Sequence, residues 1–447
     1  MSAPAYTMTY SLMRSISVLA LSAIVLAVAP LAAQQMPPVR PLGPVTHVSP
    51  GGLLGSVSMV RPLAHGGVIV NDITRRQLIL FDADLHKLKI FADSASGTTG
   101  AYNGSMGGLL AFKGDSSLFV DPRSLSMLVL DAKGDVARVM AVPSPPDAPF
   151  MVGGPFGTPG FDARGRIVYR GVARPSGRGD DAPPSGEAVR SGQFADSAPV
   201  YRIDLVSRER ETLAFVVIPK QVVSMMRDRT GKFTGTAILI NPMAVVDDWA
   251  LMPDGRVAIV RGIDFHVDWL ELDGRWVSTA KTPYNWERLD DDAKARVIDS
   301  TKSAAERTRD ALKKAIEANP TSANSMASSA GLPGVMIVAT NPDALTGRPT
   351  QEVMVPATNM VDAKLIADYR PAFRMGAARA DAEGNLWVRT TAPSDGGAIY
   401  DVIDGRGQLV DRVKVPFGRV ISGFGKGVVY LGVQDDQGAR LERARIR

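Results

Sequence analysis

Three short apolar runs each end in an arginine: Tyr169-Arg170-Gly171, Val260-Arg261-Gly262 and Val388-Arg389-Thr390. A guanidinium fork holds a carboxylate or phosphate in a bidentate grip, so Arg170, Arg261 and Arg389 are candidate anion ligands. The matching positions of two further runs carry Asp72 and Asp121. These carboxylates are either part of the same binding layer or ion-pair partners of the arginines within it. A second constellation follows Arg261: Asp264, His266 and Asp268 alternate, so on a strand they share a face. Two carboxylates and an imidazole can ligate a divalent metal or do acid–base work. The structural alternative is a hydrogen-bonded histidine.

Other chemistries find no support. Cysteine is absent, which excludes disulfides, thiolate metal sites and a catalytic thiol. Asn103-Gly104-Ser105-Met106-Gly107 lacks the first glycine of a serine-hydrolase elbow. Gly418 to Gly423 runs into Phe424, where a phosphate loop needs lysine. The net charge of +5 is spread over interleaved acids and bases, with no basic block among aromatics, so nucleic-acid binding is not expected. No cofactor is required by the residue pattern; a divalent metal at Asp264, His266 and Asp268 is the one candidate.

These residues need a scaffold of short strands. Glycine (43) and proline (31) are abundant, and most of the 447-residue chain is runs of Val, Ile, Leu, Phe and Tyr cut by Gly, Asp and Pro. The runs repeat. Asp72 and Asp82 are ten residues apart, and so are Asp121 and Asp131, one copy later. The offset between copies is 49 residues, which suits a four-stranded propeller blade. A turn feeding a strand recurs as Asp162-Ala163-Arg164-Gly165, Pro253-Asp254-Gly255-Arg256 and Asp381-Ala382-Glu383-Gly384. Its glycine supplies the positive φ of a hairpin and its aspartate caps the turn.

Gly384-Asn385-Leu386-Trp387-Val388 and Asp254-Gly255-Arg256-Val257 carry a resemblance to secreted bacterial six-bladed β-propellers, the group that includes NHL-repeat and TolB-like propellers. The expected fold is an all-β, six-bladed propeller over 57–447. Its blades are expected near 57–93, 107–143, 157–218, 243–281, 372–416 and 418–446. The last looks one strand short, and a strand near Val45-Thr46-His47-Val48, in the segment 34–56, would close the ring. A seventh blade would have to hide in 331–368, where Val335–Val338 and Glu352–Val355 have strand character.

Two insertions interrupt the ring. Residues 172–197 read as a disordered Pro/Gly/Ser/Asp loop. Between blades four and five, 286–330 carries a helical insertion, with Leu289, Ala293, Val297, Thr301, Ala305, Thr308, Leu312 and Ile316 on one stripe. Loops between blades, and loops from second to third strands, emerge on one face, so both insertions decorate the same face as the arginines. Residues 1–33, with Arg14 before an apolar run, read as a signal peptide cleaved near Ala33, with Met13 as an alternative start. A periplasmic or secreted location follows, with no transmembrane span after cleavage.

The function expected from these features is binding, of an anionic small molecule, a peptide or an envelope partner protein, on the insertion-bearing face. A metal-assisted hydrolase or lyase of lactonase-like propeller type is the enzyme alternative. A scaffold in an envelope complex is a third.

Overall fold

A computed structural model describes residues 35–94, 100–104, 106–173, 195–220, 222–227, 230–318, 336–342, 349–354, 359–435 and 438–447. The leader at 1–33 and most of the 172–197 loop lie outside these residues.

The chain opens with two short strands, β1 (Val39–Pro41) and β2 (Val45–Val48). Six four-stranded antiparallel blades follow around a common axis. Blade one is β3–β6 (Met59–Pro62, Val68–Asp72, Gln77–Phe81, Lys87–Ala92). Blade two is β7–β10 (Gly108–Ala111, Ser117–Asp121, Ser126–Leu130, Val136–Ala141). Blade three is β11–β14 (Gly160–Phe161, Ile167–Arg170, Ser197–Ile203, Arg210–Val217). A hairpin, β15 (Val222–Arg227) and β16 (Phe233–Ile240), precedes blade four, β17–β20 (Asp248–Leu251, Val257–Arg261, His266–Leu270, Trp276–Ser278). Then come helix α1 (Asp291–Ala318), β21 (Met336–Pro342), β22 (Pro349–Met354) and β23 (Asn359–Met360). Blade five is β24–β27 (Phe373–Ala380, Leu386–Thr390, Gly397–Ile403, Leu409–Pro416). Blade six is β28–β30 (Arg419–Gly425, Val428–Asp435, Gly438–Arg445), with β2 paired antiparallel on β30 as its fourth strand. β1 adds a fifth strand, parallel to β27, which the sequence reading did not assign.

Among the described residues of 331–368 no four-stranded sheet forms: β21 and β22 pair with each other, and β23 joins the β15–β16 sheet. That three-stranded sheet is a second departure, because the sequence reading left 219–242 between blades without an element. It draws the two inter-blade insertions together. Met243, Leu289, Val361 and Ile366 are buried in one small core against Val222, Leu239, Ala293, Val297 and Ile298. The start of α1 is capped by Asp290, whose carboxylate accepts from the Ala293 amide at 2.7 Å. The two ends of the insertion meet where Leu289 N donates to Asp368 O and Arg370 N to Glu287 O.

The main cores lie between neighbouring blades and are filled by the middle strands, whose residues are buried on both faces. Val68, Val70, Ile79 and Phe81 pack on Tyr430 and Leu441 of blade six. Ile69, Leu78 and Leu80 pack on Leu109, Phe119 and Leu128 of blade two. Burial on both faces explains why these strands read as continuous apolar runs. Among the described residues no helix is long and apolar enough to cross a membrane.

Candidate functional site

Second strands run toward the insertion-bearing face, and their last residues stand there. Asp72 is fully buried, and its carboxylate accepts from the amides of Gly55 (2.7 Å), Ser56 (3.0 Å) and Arg75 (3.0 Å). Asp121 likewise accepts from Asn103 N (2.9 Å) and Arg123 N (3.0 Å). Both tie the incoming inter-blade segment to the end of the second strand. Asp147 does the same in blade three through Val172 N, and Asp247 in blade four through Val217 N and Gly262 N. Backbone amides and the Ser56 hydroxyl, not the three arginines, are the partners of Asp72 and Asp121.

The three arginines have different surroundings. Arg261 is held by two carboxylates, Asp247 at 2.8 Å and Asp268 at 2.7 Å. Arg170 is only 5% exposed. Its guanidinium lies 4.8 Å from the ring centroids of both Phe150 and Phe156, and its Nη1 is 3.6 Å from Met375 Sδ. Its Nε is buried without a hydrogen-bond partner. Burial pushes its pKa down to about 10, opposed by the charge of Asp248. Asp248 itself is buried at the start of the innermost strand of blade four, where it accepts from Ala378 N at 2.7 Å. Burial lifts its carboxyl to about 7, against the pull of the Ala378 and Trp249 amides and the Arg379 charge.

Arg389 is exposed and lines a cavity of about 370 Å³ together with Arg370, Arg374, Met375, Thr390 and Thr391. The local fold explains the convergence. The ladder between β24 and β25 is interrupted between Phe373 and Ala378. Gly376 in that bulge has φ +80°, and a Cβ there would stand 2.8 Å from Pro155 Cα. The bulge takes Arg374 and Met375 out of the strand's alternation, as bulges beside sites commonly do. Of the three arginines, Arg370 has a carboxylate partner, Glu287, at 2.5 Å. Arg374 and Arg389 have none among the described residues. Burial lowers the pKa of Arg374, and the charges of Arg370 and Arg389 lower it further. The hydroxyls of Thr390 and Thr391 donate to the carbonyls of Ile399 and Pro371, so the available donors of the cavity are guanidinium groups. Trp286, 39% exposed, stands next to Glu287 in the chain and packs edge-on against Tyr284, whose hydroxyl meets Thr391 at 3.3 Å.

The structure therefore brings Arg170 and Arg389 to a shared neighbour, Met375, while Arg261 is engaged farther along blade four. Sequence reasoning missed Arg370 and Arg374. The one available signal was their four-residue spacing across the start of β24, the strand that precedes Arg389's own.

His266 sits between its two carboxylates: Nδ1 is 2.5 Å from Asp264 and Nε2 3.2 Å from Asp268. Asp268 also accepts from Arg261 and Ser278. The two ring nitrogens point in different directions, so a single ion on either nitrogen would reach one carboxylate and not both. Among the described residues no group of three His, Asp or Glu side chains converges to hold a metal ion.

A segment between blades two and three completes the setting. The would-be Cβ of Gly153 lies 3.1 Å from Met59, Pro155 abuts Gly376, and Phe156 O accepts from Trp249 Nε1 at 2.9 Å. Residues 153–156 thus touch blades one, four and five and lie across the axis on the insertion-bearing side.

No family profile matches the chain, and no curated protein matches it. Solved structures do. A DUF4221-family protein from Bacteroides vulgatus is 10% identical, with 92% of this chain and 98% of that one covered and a TM-score of 0.47. Virginiamycin B lyase from Staphylococcus aureus is 9% identical, covering 88% and 94%, with a TM-score of 0.36. The calcium-binding protein regucalcin from Agrobacterium tumefaciens is 13% identical, covering 92% and 98%, with a TM-score of 0.34. Likeness at this level carries no functional argument. The chain's own strand order makes it a six-bladed β-propeller.

Proposed function

We propose that this chain is an exported six-bladed propeller that binds an anionic ligand on its insertion-bearing face. The carrying observation is the cavity lined by Arg370, Arg374 and Arg389, of which only Arg370 has a carboxylate partner, Glu287, among the described residues. Like charges crowded in this way repel, and an incoming carboxylate or phosphate relieves that repulsion while gaining charge-assisted hydrogen bonds. The cavity suits a small polyanion or the acidic side chains of a peptide or envelope partner. The exposed ring of Trp286 offers a flat surface to the ligand's body. Export is read from the leader pattern of residues 1–33, and a kinship with the secreted NHL-repeat and TolB-like propellers is supported by the strings Asp254-Gly255-Arg256-Val257 and Gly384-Asn385-Leu386-Trp387-Val388.

The hydrolase or lyase reading has less support, because both ring nitrogens of His266 face carboxylates. Titration calorimetry with citrate and with inorganic pyrophosphate tests the binding reading. The double variant Arg374→Glu, Arg389→Glu should weaken binding about 100-fold, equivalent to about 2.7 kcal/mol, with its melting temperature preserved. Equal affinity in the double variant, or no binding of either anion to the parent, would sink it.

A further inference from the structure

The opposite end of the axis carries a second cavity, of about 830 Å³. Arg61, Phe112, Phe161, Met252, Ala380 and Phe424 line it, contributed by blades one to six in turn. They lie at or just beyond the ends of the innermost strands, away from the 153–156 crossing and from the arginine cavity of blade five.

The chemistry of this mouth is mixed. Phe112 and Phe161 meet edge-on at 4.8 Å and, with Phe424 and Met252, give apolar walls. Three cations, Arg61, Lys113 and Arg164, share the lining with two carboxylates, Asp162 and Asp381. Both carboxylates are already engaged. Asp162 accepts from Arg164 N, Arg166 N and Arg166 Nε, and Asp381 from Glu383 N, Asn385 N and the Trp387 indole. Arg61 has no ion-pair partner among the described residues. It donates to the carbonyls of Pro62 and Gly114, and its Nε is buried with no hydrogen-bond partner. Its nearby carboxylate, Asp115, accepts instead from Ala64 N at 2.7 Å. Burial disfavours the charged form of Arg61, with Asp115 opposing it only in part, and an anion seated beside the guanidinium in the cavity would offset that cost. The volume lies in the range of small-molecule sites.

We propose that this mouth is a second ligand site, for an amphipathic organic anion. Its carboxylate, sulfonate or phosphate sits at Arg61 with Lys113 and Arg164 alongside, and its ring or short alkyl body lies against Phe112, Phe161 and Phe424. This site is independent of the arginine cavity on the other face.

The test is calorimetry of the full chain with 2-naphthalenesulfonate, with neutral 2-naphthol and with acetate. The sulfonate should bind at least tenfold more tightly than either control. Arg61→Met should lower its affinity at least tenfold. Ala382→Trp, at an exposed position of the rim, should do the same by filling the opening, and it covers the case in which the Arg61 variant fails to fold. Arg374→Glu, Arg389→Glu should bind the sulfonate within twofold of the parent. The proposal is overturned if the parent does not bind the sulfonate at millimolar concentration. It is overturned equally if binding survives the Ala382→Trp change, or if the Arg374, Arg389 variant loses it.

Discussion

The two faces of the ring are joined by different kinds of aspartate. On the face of the tight turns, the carboxylates act locally: Asp82, Asp131, Asp162, Asp381 and Asp404 each accept from the amides two and four residues ahead. Each such turn is complete within its own blade. On the insertion-bearing face Asp72, Asp121, Asp147 and Asp247 also reach to segments 15 to 30 residues away. One face is closed by self-contained turns; the other is stitched across connections. The stitched design tolerates long insertions, because the stitch holds the strand end whatever the intervening chain does. Both designs engage carboxylates with backbone amides, and among the described residues Arg374 and Arg389 at one mouth and Arg61 at the other have no carboxylate partner.

The largest effect that would break this contrast is expected at a turn. Asp381→Ala removes the acceptor of two amides and the Trp387 indole in a buried position. It should lower stability by about 3 kcal/mol in a denaturant titration, with citrate affinity unchanged. A loss below about 1 kcal/mol would show that the turn does not depend on its aspartate. Arg261→Met should come next, at about 2 kcal/mol, because it strands Asp247 and Asp268 without a cation; a neutral result would mean that the amides alone satisfy Asp247. Arg374→Ala is expected to do the reverse of a structural change. Citrate should bind about tenfold more weakly, about 1.4 kcal/mol, while the melting temperature holds or rises as repulsion eases.

The smallest effect is a pH dependence. The raised pKa of Asp248 means that the folded chain keeps a proton which the unfolded chain has released. Its contribution to stability is therefore greatest below the unfolded value and falls as pH rises from about 4 to about 7. Asp248→Asn should flatten that decline and raise stability at pH 8 relative to the parent. A parent protein whose stability rises steadily over the same window, with no change in slope on substitution, would contradict it.

The blades were legible because each repeats a local device. Asp162 to Gly165 and Asp381 to Gly384 place an acceptor and a positive-φ glycine (+77° and +87°) at fixed spacing, and period and turn are both written in neighbouring residues. Helix α1 was legible for the same reason, through its apolar stripe, whereas its cap at Asp290 emerged only in the structure. The arginine cavity was only half legible. Arg389 marks a strand end, but Arg374 reaches the cavity because a bulge at Gly376 accommodates Pro155, more than 200 residues away in the chain. No local pattern encodes that contact. The β15–β16 hairpin was overlooked because it belongs to no blade and finds its third strand at β23, from the other insertion.

The first strands of the ring are also the last to find partners. β2 pairs with β30 and β1 with β27, so neither has its neighbour until nearly the whole chain exists. During synthesis, residues 39–48 are without these partners and open to wrong pairing with another chain. The segment answers with Pro37, Pro38, Pro41 and Pro44, each of which deletes a backbone donor and makes a poor template for a foreign strand. The prolines keep the clasp a poor partner for other chains, and its pairing with β30 and β27 ties the N-terminal side of the ring to blades five and six.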